Sequence, residues 1–180
     1  MSSQAQSVAD VTNKCRSAQE DGQLDLSNCK LEKVPDAIFV FFMDKQPESC
    51  NLSGNTLSKI PAKLGKKFHL LKEFIASGNK LCDLPSSLGT MANLSHLDLS
   101  HNAFTVFPAV IYSLPSLKEL NVEMNHIERV DVGKLVESGN LQSLNVRNNP
   151  LDAETKAAVQ QWKHQLTICY TELESQSAEN

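Results

Sequence analysis

The sequence lacks most of the features that identify a membrane protein or a disulfide-bonded secreted domain. Its 180 residues include five cysteines, an odd number, and none of them forms a Cys-x-x-Cys pair, so neither a disulfide framework nor a zinc site is indicated. The most apolar window, residues 38–43, would span about 9 Å as a helix, far less than the ~30 Å of a bilayer core. The amino-terminal residues contain neither the basic nor the apolar segment of a secretory signal. We therefore expect a cytoplasmic protein that does not enter a membrane, with the nucleus as the alternative location.

An excess of positive charge is missing as well. The chain has 17 Lys and Arg against 21 Asp and Glu, which gives a formal net charge of −4. Nucleic-acid binders normally carry basic clusters that neutralise phosphates, and proteins held on anionic lipid carry a polybasic segment. We expect a monomeric chain whose partner is a protein, with no nucleic acid and no membrane among its ligands.

Candidate catalytic and metal-binding groups are also missing. His96 and His101 lie five residues apart around one predicted strand, with no cysteine and no second carboxylate at ligand spacing, so we expect no metal site. The Ser-Gly-Asn triplets at 53–55 and 77–79 lack the lysine of a phosphate-binding loop. No nucleophile can be paired with a base and an orienting group. The sequence therefore predicts no catalytic residue, no metal and no cofactor.

What the sequence does have is an internal repeat. The template Leu-x-x-Leu-x-Leu-x-x-Asn-x-Leu recurs, with other apolar residues at some leucine positions, and its clearest copies begin at Leu71, Leu94, Leu117 and Leu141. Two looser copies lie upstream. The asparagine position falls at 29 (a cysteine), 55, 79, 102, 125 and 149, so successive copies are 23 to 26 residues apart. Such a period is typical of leucine-rich repeats, which are about 20–29 residues long.

On these motifs the chain resembles the leucine-rich-repeat family over residues 21–151. An aliphatic or aromatic residue followed by proline recurs at 34–35, 60–61, 84–85 and 107–108. This extension resembles the short intracellular subclass found in Ras-pathway scaffold and suppressor proteins. That subclass lacks a described catalytic centre, so the resemblance implies an interaction module.

The repeat predicts an α/β solenoid, a leucine-rich-repeat horseshoe of about six repeats with a parallel concave sheet and helical caps. Alternate side chains of each Leu-x-Leu strand point into the core. We expect an amino-terminal capping helix at 1–20, repeats at 21–151, a carboxy-terminal cap at 152–171 and a disordered tail at 172–180. Val8, Val11, Cys15 and Ala18 recur at helical spacing in the first cap, and Asp152 can N-cap a helix in the second.

The asparagine position is expected to be structural. An inward-turned amide can satisfy backbone groups of neighbouring turns that would otherwise be buried without partners. Its replacement by alanine should cost about 1–3 kcal/mol. In the first repeat a cysteine takes the position as a small, weak donor, with a reactive thiol as the alternative. The predicted structural ladder consists of Cys29, Asn55, Asn79, Asn102, Asn125 and Asn149.

The outward side chains of the strands form the candidate binding surface, because solenoids offer their partners an extended concave face. Acidic groups outnumber basic ones there, which predicts a protein partner with a basic or polar segment. A solvated face that binds nothing is the alternative. Six strands give a patch on the order of 400 Å², about half of what one partner contributes to a standard interface. The predicted contact residues are Asp25, Asn51, Glu73, Ile75, His96, Asp98, Glu119, Asn121, Glu123, Asn145 and Arg147.

A second hypothesis is a structural subunit that docks through its convex face or its caps in a larger assembly. Phe39, Phe42 and Trp162 would then lie in an exposed apolar patch. For Trp162 the alternative is a purely structural role, in which its side chain closes the end of the solenoid.

Overall fold

The computed structural model describes residues 3–137 and 140–170. One parallel sheet of seven three-residue strands runs through the molecule in the order of the sequence. The strands are β1 (Gln23–Asp25), β2 (Ser49–Asn51), β3 (Glu73–Ile75), β4 (His96–Asp98), β5 (Glu119–Asn121), β6 (Ser143–Asn145) and β7 (Thr167–Cys169). The predicted solenoid with a parallel sheet is confirmed: Leu97 pairs with Leu120, and Leu120 with Leu144, in an unbroken register.

The seventh strand was not predicted, because residues 167–169 lie outside the leucine template. After the last helix the chain turns through a hydrogen bond from Leu166 N to Trp162 O and then pairs with β6. The sheet therefore continues through the carboxy-terminal cap by one strand beyond the repeats.

A longer helix, α1 (Ser3–Asp21), precedes the first strand, and shorter helical segments return the chain from each strand to the next. The returns are α2 (Ile38–Phe41), α3 (Ala62–Lys67), the first 3-10 helix (Ser86–Thr90), the second 3-10 helix (Ala109–Ser113), α4 (Val132–Glu137) and α5 (Ala153–Trp162). The prolines at 61, 85 and 108 immediately precede α3 and the two 3-10 helices in an extended conformation. Because proline fixes φ and has no N–H, it suits the start of such a helix and ends the extended segment before it. Within the described ranges, no helix combines the length and the apolar character needed to cross a membrane.

The core lies between the sheet and the returns. In the widened first repeat, the rings of Phe39 and Phe42 pack on Phe68 of the second, with ring centroids 5.3 and 5.6 Å apart. Both phenylalanines are only 3% exposed, so the hypothesis that they form an exposed apolar patch is wrong. The reason is the 26-residue spacing, which gives the return enough chain to fold its aromatic side chains back over the next repeat. Trp162 is half-buried against the core.

Each end of the stack is covered by a helix. Val11, Cys15 and Ala18 of α1 are buried, and Gly22 N donates to Ala18 O where the helix ends and β1 begins. At the other end, Asp152 caps α5 by accepting a hydrogen bond from Thr155 N at 2.8 Å. The side chain of Val8 and the tail predicted at 172–180 lie outside the described part of the chain.

Candidate functional site

The asparagine amides tie each repeat to the one before it. Asn102 Oδ1 accepts from the backbone N–H of Leu81 at 3.0 Å, and its Nδ2 donates to the carbonyls of Ala76 and Leu99, both at 3.0 Å. Leu81 and Ala76 belong to the preceding repeat, whereas Leu99 belongs to the same one. The same three bonds, between 2.8 and 3.2 Å, are made by Asn55, Asn79, Asn125 and Asn149.

Cys29 occupies the corresponding position in the first repeat, where no preceding repeat exists. Its thiol donates to Ser27 O at 3.4 Å, and the side chain is half-exposed. Asn55 reaches back to this first repeat through Leu26 O and Leu31 N. An asparagine at position 29 would have no earlier turn to bind, so a small residue with a weak donor is sufficient there.

The outward side chains lie in two rows that run across the strands in register. The first row contains Gln23, Ser49, Glu73, His96, Glu119, Ser143 and Thr167. The second contains Asp25, Asn51, Ile75, Asp98, Asn121, Asn145 and Cys169. Two residues after the second row come Glu123 and Arg147. Thr167 and Cys169 were missed with β7; the alternation Thr-Ile-Cys, which follows a buried leucine, was the available signal.

The second row does more than face solvent. Asp98 Oδ1 accepts from the backbone N–H of Ser100 at 2.8 Å, and so closes the turn that follows the strand. Asp25, Asn51, Asn121 and Asn145 make the same bond to the residue two positions ahead, at 2.8 to 3.2 Å. These outward side chains therefore also stabilise the turns that follow the strands. The aliphatic side chain of Ile75 has no hydrogen-bond acceptor and cannot make this bond.

Acidic side chains of the face bond laterally to the neighbouring strand. Glu73 Oε2 accepts from Ser49 Oγ at 2.7 Å, and Glu119 Oε2 lies 2.9 Å from Nδ1 of His96. Glu123 accepts from Asn145 Nδ2 at 2.9 Å. These contacts align the carboxylates across the sheet.

The electrostatic environment keeps this face acidic. Although burial opposes ionisation of Asp25, its pKa lies below the ordinary value because hydrogen bonds from Ser27 and the charge of Lys14 favour the carboxylate. The pKa of Glu48 is also lowered, by a hydrogen bond from Lys72 and by the lysine charge.

The two histidines considered as metal ligands lie in different surroundings. His96 lies on the sheet, whereas His101 is exposed in the following turn with φ of 54°. Among the described residues, no three His, Cys, Asp or Glu side chains come together as a metal site.

Comparisons with known proteins agree with this geometry. A family model described as leucine rich repeat matches residues 84–127. Adenylate cyclase of Schizosaccharomyces pombe is 35% identical over 96 residues, which are 51% of this chain and 6% of the cyclase. A protein flightless-1 homolog of Caenorhabditis elegans is 33% identical over 111 residues, 61% of this chain and 9% of that protein. The chain thus spans less than a tenth of the length of these relatives.

Solved structures show the same fold. A leucine-rich-repeat protein of Leptospira interrogans superimposes with a TM-score of 0.68 at 24% identity, over 77% of this chain and 34% of that one. The leucine-rich-repeat domain of APL1 gives a TM-score of 0.63 at 21% identity, over 73% and 34%. The fold is therefore that of a leucine-rich-repeat solenoid. Domains of this kind generally mediate protein–protein interaction and are generally not themselves enzymes.

Proposed function

We propose that this protein is a non-catalytic, cytoplasmic adaptor or regulator that binds a partner protein through the concave sheet face. The observation that supports the proposal is a group of three carboxylates on the neighbouring strands β3, β4 and β5. Glu73 and Glu119 lie in the first row, and Asp98 lies in the second row on the strand between them. Strands about 4.8 Å apart place such groups within reach of one basic segment. The partner therefore carries a basic or polar segment, and the chain acts as a monomer, without nucleic acid or membrane.

The subclass is also part of the proposal. A helix before the first repeat, a widened first repeat and a short cap after the last make the layout similar to leucine-rich repeat-containing protein 20 and its relatives. The residue–proline pairs at 34–35, 60–61, 84–85 and 107–108 support the same assignment.

The size of the face limits its affinity. Seven three-residue strands give a sheet about 29 Å long and about 10 Å wide, or roughly 300 Å². This remains below the ~800 Å² that each partner contributes to a standard interface. The partner must therefore also contact the turns that follow the strands, where Glu123 and Arg147 lie.

The test neutralises the face without removing its structural bonds. In the triple variant Glu73→Gln, Asp98→Asn, Glu119→Gln, the asparagine keeps the Oδ1 acceptor for Ser100 N, as Asn51, Asn121 and Asn145 do in their own repeats. Affinity capture from cells with quantitative mass spectrometry should show specific partners depleted by at least about tenfold, equivalent to ~1.4 kcal/mol.

A matched control removes the same charges elsewhere. The triple variant Glu20→Gln, Glu32→Gln, Asp44→Asn changes three exposed carboxylates away from the sheet and should capture the partners as the natural chain does. Unchanged capture by the concave variant would show that another surface binds. Equal loss in both variants would show that net charge, and not this face, drives capture.

A further inference from the structure

The returns of the second, third and fourth repeats pack unusually closely on the convex side. A Cβ added to Gly65 of α3 would lie 2.3 Å from Ser87 O, and one added to Gly89 would lie 2.7 Å from Ser113 Oγ. Cβ atoms in protein structures essentially never lie this close to a non-bonded atom. Glycine at these two positions therefore allows each return to touch the next one.

The next return breaks this pattern. Leu64 and Leu88, the buried residues before these glycines, correspond to buried Ile111, and the residue after Ile111 is Tyr112. The Tyr112 ring packs against Phe107 at 5.1 Å between centroids, and its hydroxyl accepts from Asp131 N at 3.0 Å. The ring thus stands between the second 3-10 helix and the return of the fifth repeat.

The result is a groove of about 410 Å³ between the second 3-10 helix, residues 129–133 and α5. We call it the convex groove. Its volume lies within the ~300–1,000 Å³ of typical ligand-binding clefts. Much of the lining is apolar, contributed by Phe107, Tyr112, Val130, Val132 and Ala158. A Cβ added to Gly133 would meet only Asp131 Oδ1 at 3.4 Å, so this glycine faces the open groove.

Val106 forms an apolar lip on the convex groove and is 75% exposed. The corresponding residue, immediately before the buried apolar residue of the return, is charged in the first, second, third and fifth repeats. Those residues are Lys33, Lys59, Asp83 and Arg129. The valine therefore leaves an exposed apolar side chain next to the apolar lining of the convex groove.

The charges around the convex groove are mainly acidic. Arg129, which lines the groove, and the nearby Lys134 already have partners: Arg129 Nε lies 2.7 Å from Asp152 Oδ2, and Lys134 Nζ lies 3.1 Å from Asp131 Oδ2. The side chain of Glu154 lies 3.8 Å from an Arg129 nitrogen and is 83% exposed to solvent. The surrounding carboxylates are those of Glu128, Asp131, Asp152 and Glu154.

We infer that the convex groove binds a segment of a partner protein in which apolar side chains are flanked by basic residues. The apolar side chains pack on Val106 and Tyr112, and a flanking cation faces Glu154. This site is separate from the concave face and does not depend on it. The two surfaces would let one chain hold two partners, or two segments of one partner.

The experiment is a peptide titration of the full chain followed by NMR. The probe is a capped octapeptide with two leucines flanked by lysines; its counterparts have glutamate for lysine, or serine for leucine. The lysine–leucine peptide should shift the amide signals of Val106, Gly133 and Ala158, and both counterparts should bind at least about tenfold more weakly.

Two variants locate the binding. Gly133→Leu fills the convex groove without a strained φ. Val106→Lys introduces a charged side chain, as found at the corresponding positions 33, 59, 83 and 129. Each should weaken binding of the lysine–leucine peptide by at least about tenfold. Val40→Lys is the matched control, because Val40 is 64% exposed in the return of the first repeat, and it should bind as the natural chain does.

Four results would overturn the inference. Equal binding of the glutamate peptide would show that the acidic side chains around the convex groove do not favour a basic segment. Shifts confined to the strands would place binding on the concave face, while binding that survives Gly133→Leu would place it elsewhere. Sedimentation that shows a dimer disrupted by Gly133→Leu would identify a second copy of the chain as the occupant instead.

Discussion

Replacing Asn102 by alanine leaves backbone groups in the middle of the ladder without their side-chain partners. The Leu81 N–H loses its acceptor, and the carbonyls of Ala76 and Leu99 lose a donor. Stranding the buried N–H costs about 1–3 kcal/mol, and loss of the paired carbonyl bonds adds about 1 kcal/mol, so we expect Asn102→Ala to cost about 2–4 kcal/mol.

Cys29→Ala is the matched comparison at the first rung. It removes one bond of 3.4 Å from a half-exposed thiol to Ser27 O, so its cost should stay below about 1 kcal/mol. Urea unfolding followed by circular dichroism measures both variants. Hydrogen exchange of the Leu81 amide then shows whether the third and fourth repeats separate before the rest of the solenoid unfolds.

The reasoning fails if Asn102→Ala costs less than about 1 kcal/mol, or if the two variants are equally destabilised. The first result would mean that water or backbone rearrangement satisfies the freed groups. The second would mean that the position matters for its volume and not for its amide bonds to the preceding repeat.

Three further predictions concern the turns, the returns and the cap. Asp98→Lys should lower the free energy of unfolding by about 1 kcal/mol because the turn acceptor is lost, whereas Asp98→Asn should stay within about 0.5 kcal/mol; thermal unfolding measures both. Gly65→Ala should destabilise by about 1–3 kcal/mol because its Cβ meets Ser87 O, while Gly133→Ala, in open space, should stabilise its helix by up to about 1 kcal/mol, measured in urea. Hydrogen bonds from Arg129 and Thr155 hold the pKa of Asp152 at about 2. The stability that the ionised carboxylate contributes is therefore present above the ordinary aspartate pKa of about 3.9 and is lost as pH falls through 2. Hydrogen exchange of α5 should accelerate over that pH interval, and Asp152→Asn should abolish the acceleration.

The sequence alone was sufficient to predict the repeats and the parallel sheet. The inward residues of each strand and the asparagine position recur at a near-constant spacing, so the sequence alone aligns Leu97, Leu120 and Leu144. This works because each repeat buries the same face against the next, and a repeated environment selects the same residue types. The concave contact residues stay a prediction, although their two rows follow directly from the strand register.

Only the tertiary structure decided where neighbouring returns touch. The second hypothesis placed Phe39 and Phe42 on the surface, but Phe68 of the next repeat packs against both rings. Tyr112 was not singled out from the sequence, because its role depends on its place after a buried isoleucine, where the two preceding returns have Gly65 and Gly89. Local periodicity reports which way a side chain points within its own repeat. What that side chain meets depends on the return some 23 residues away, whose length and bulk vary from repeat to repeat and decide between close contact and an open groove.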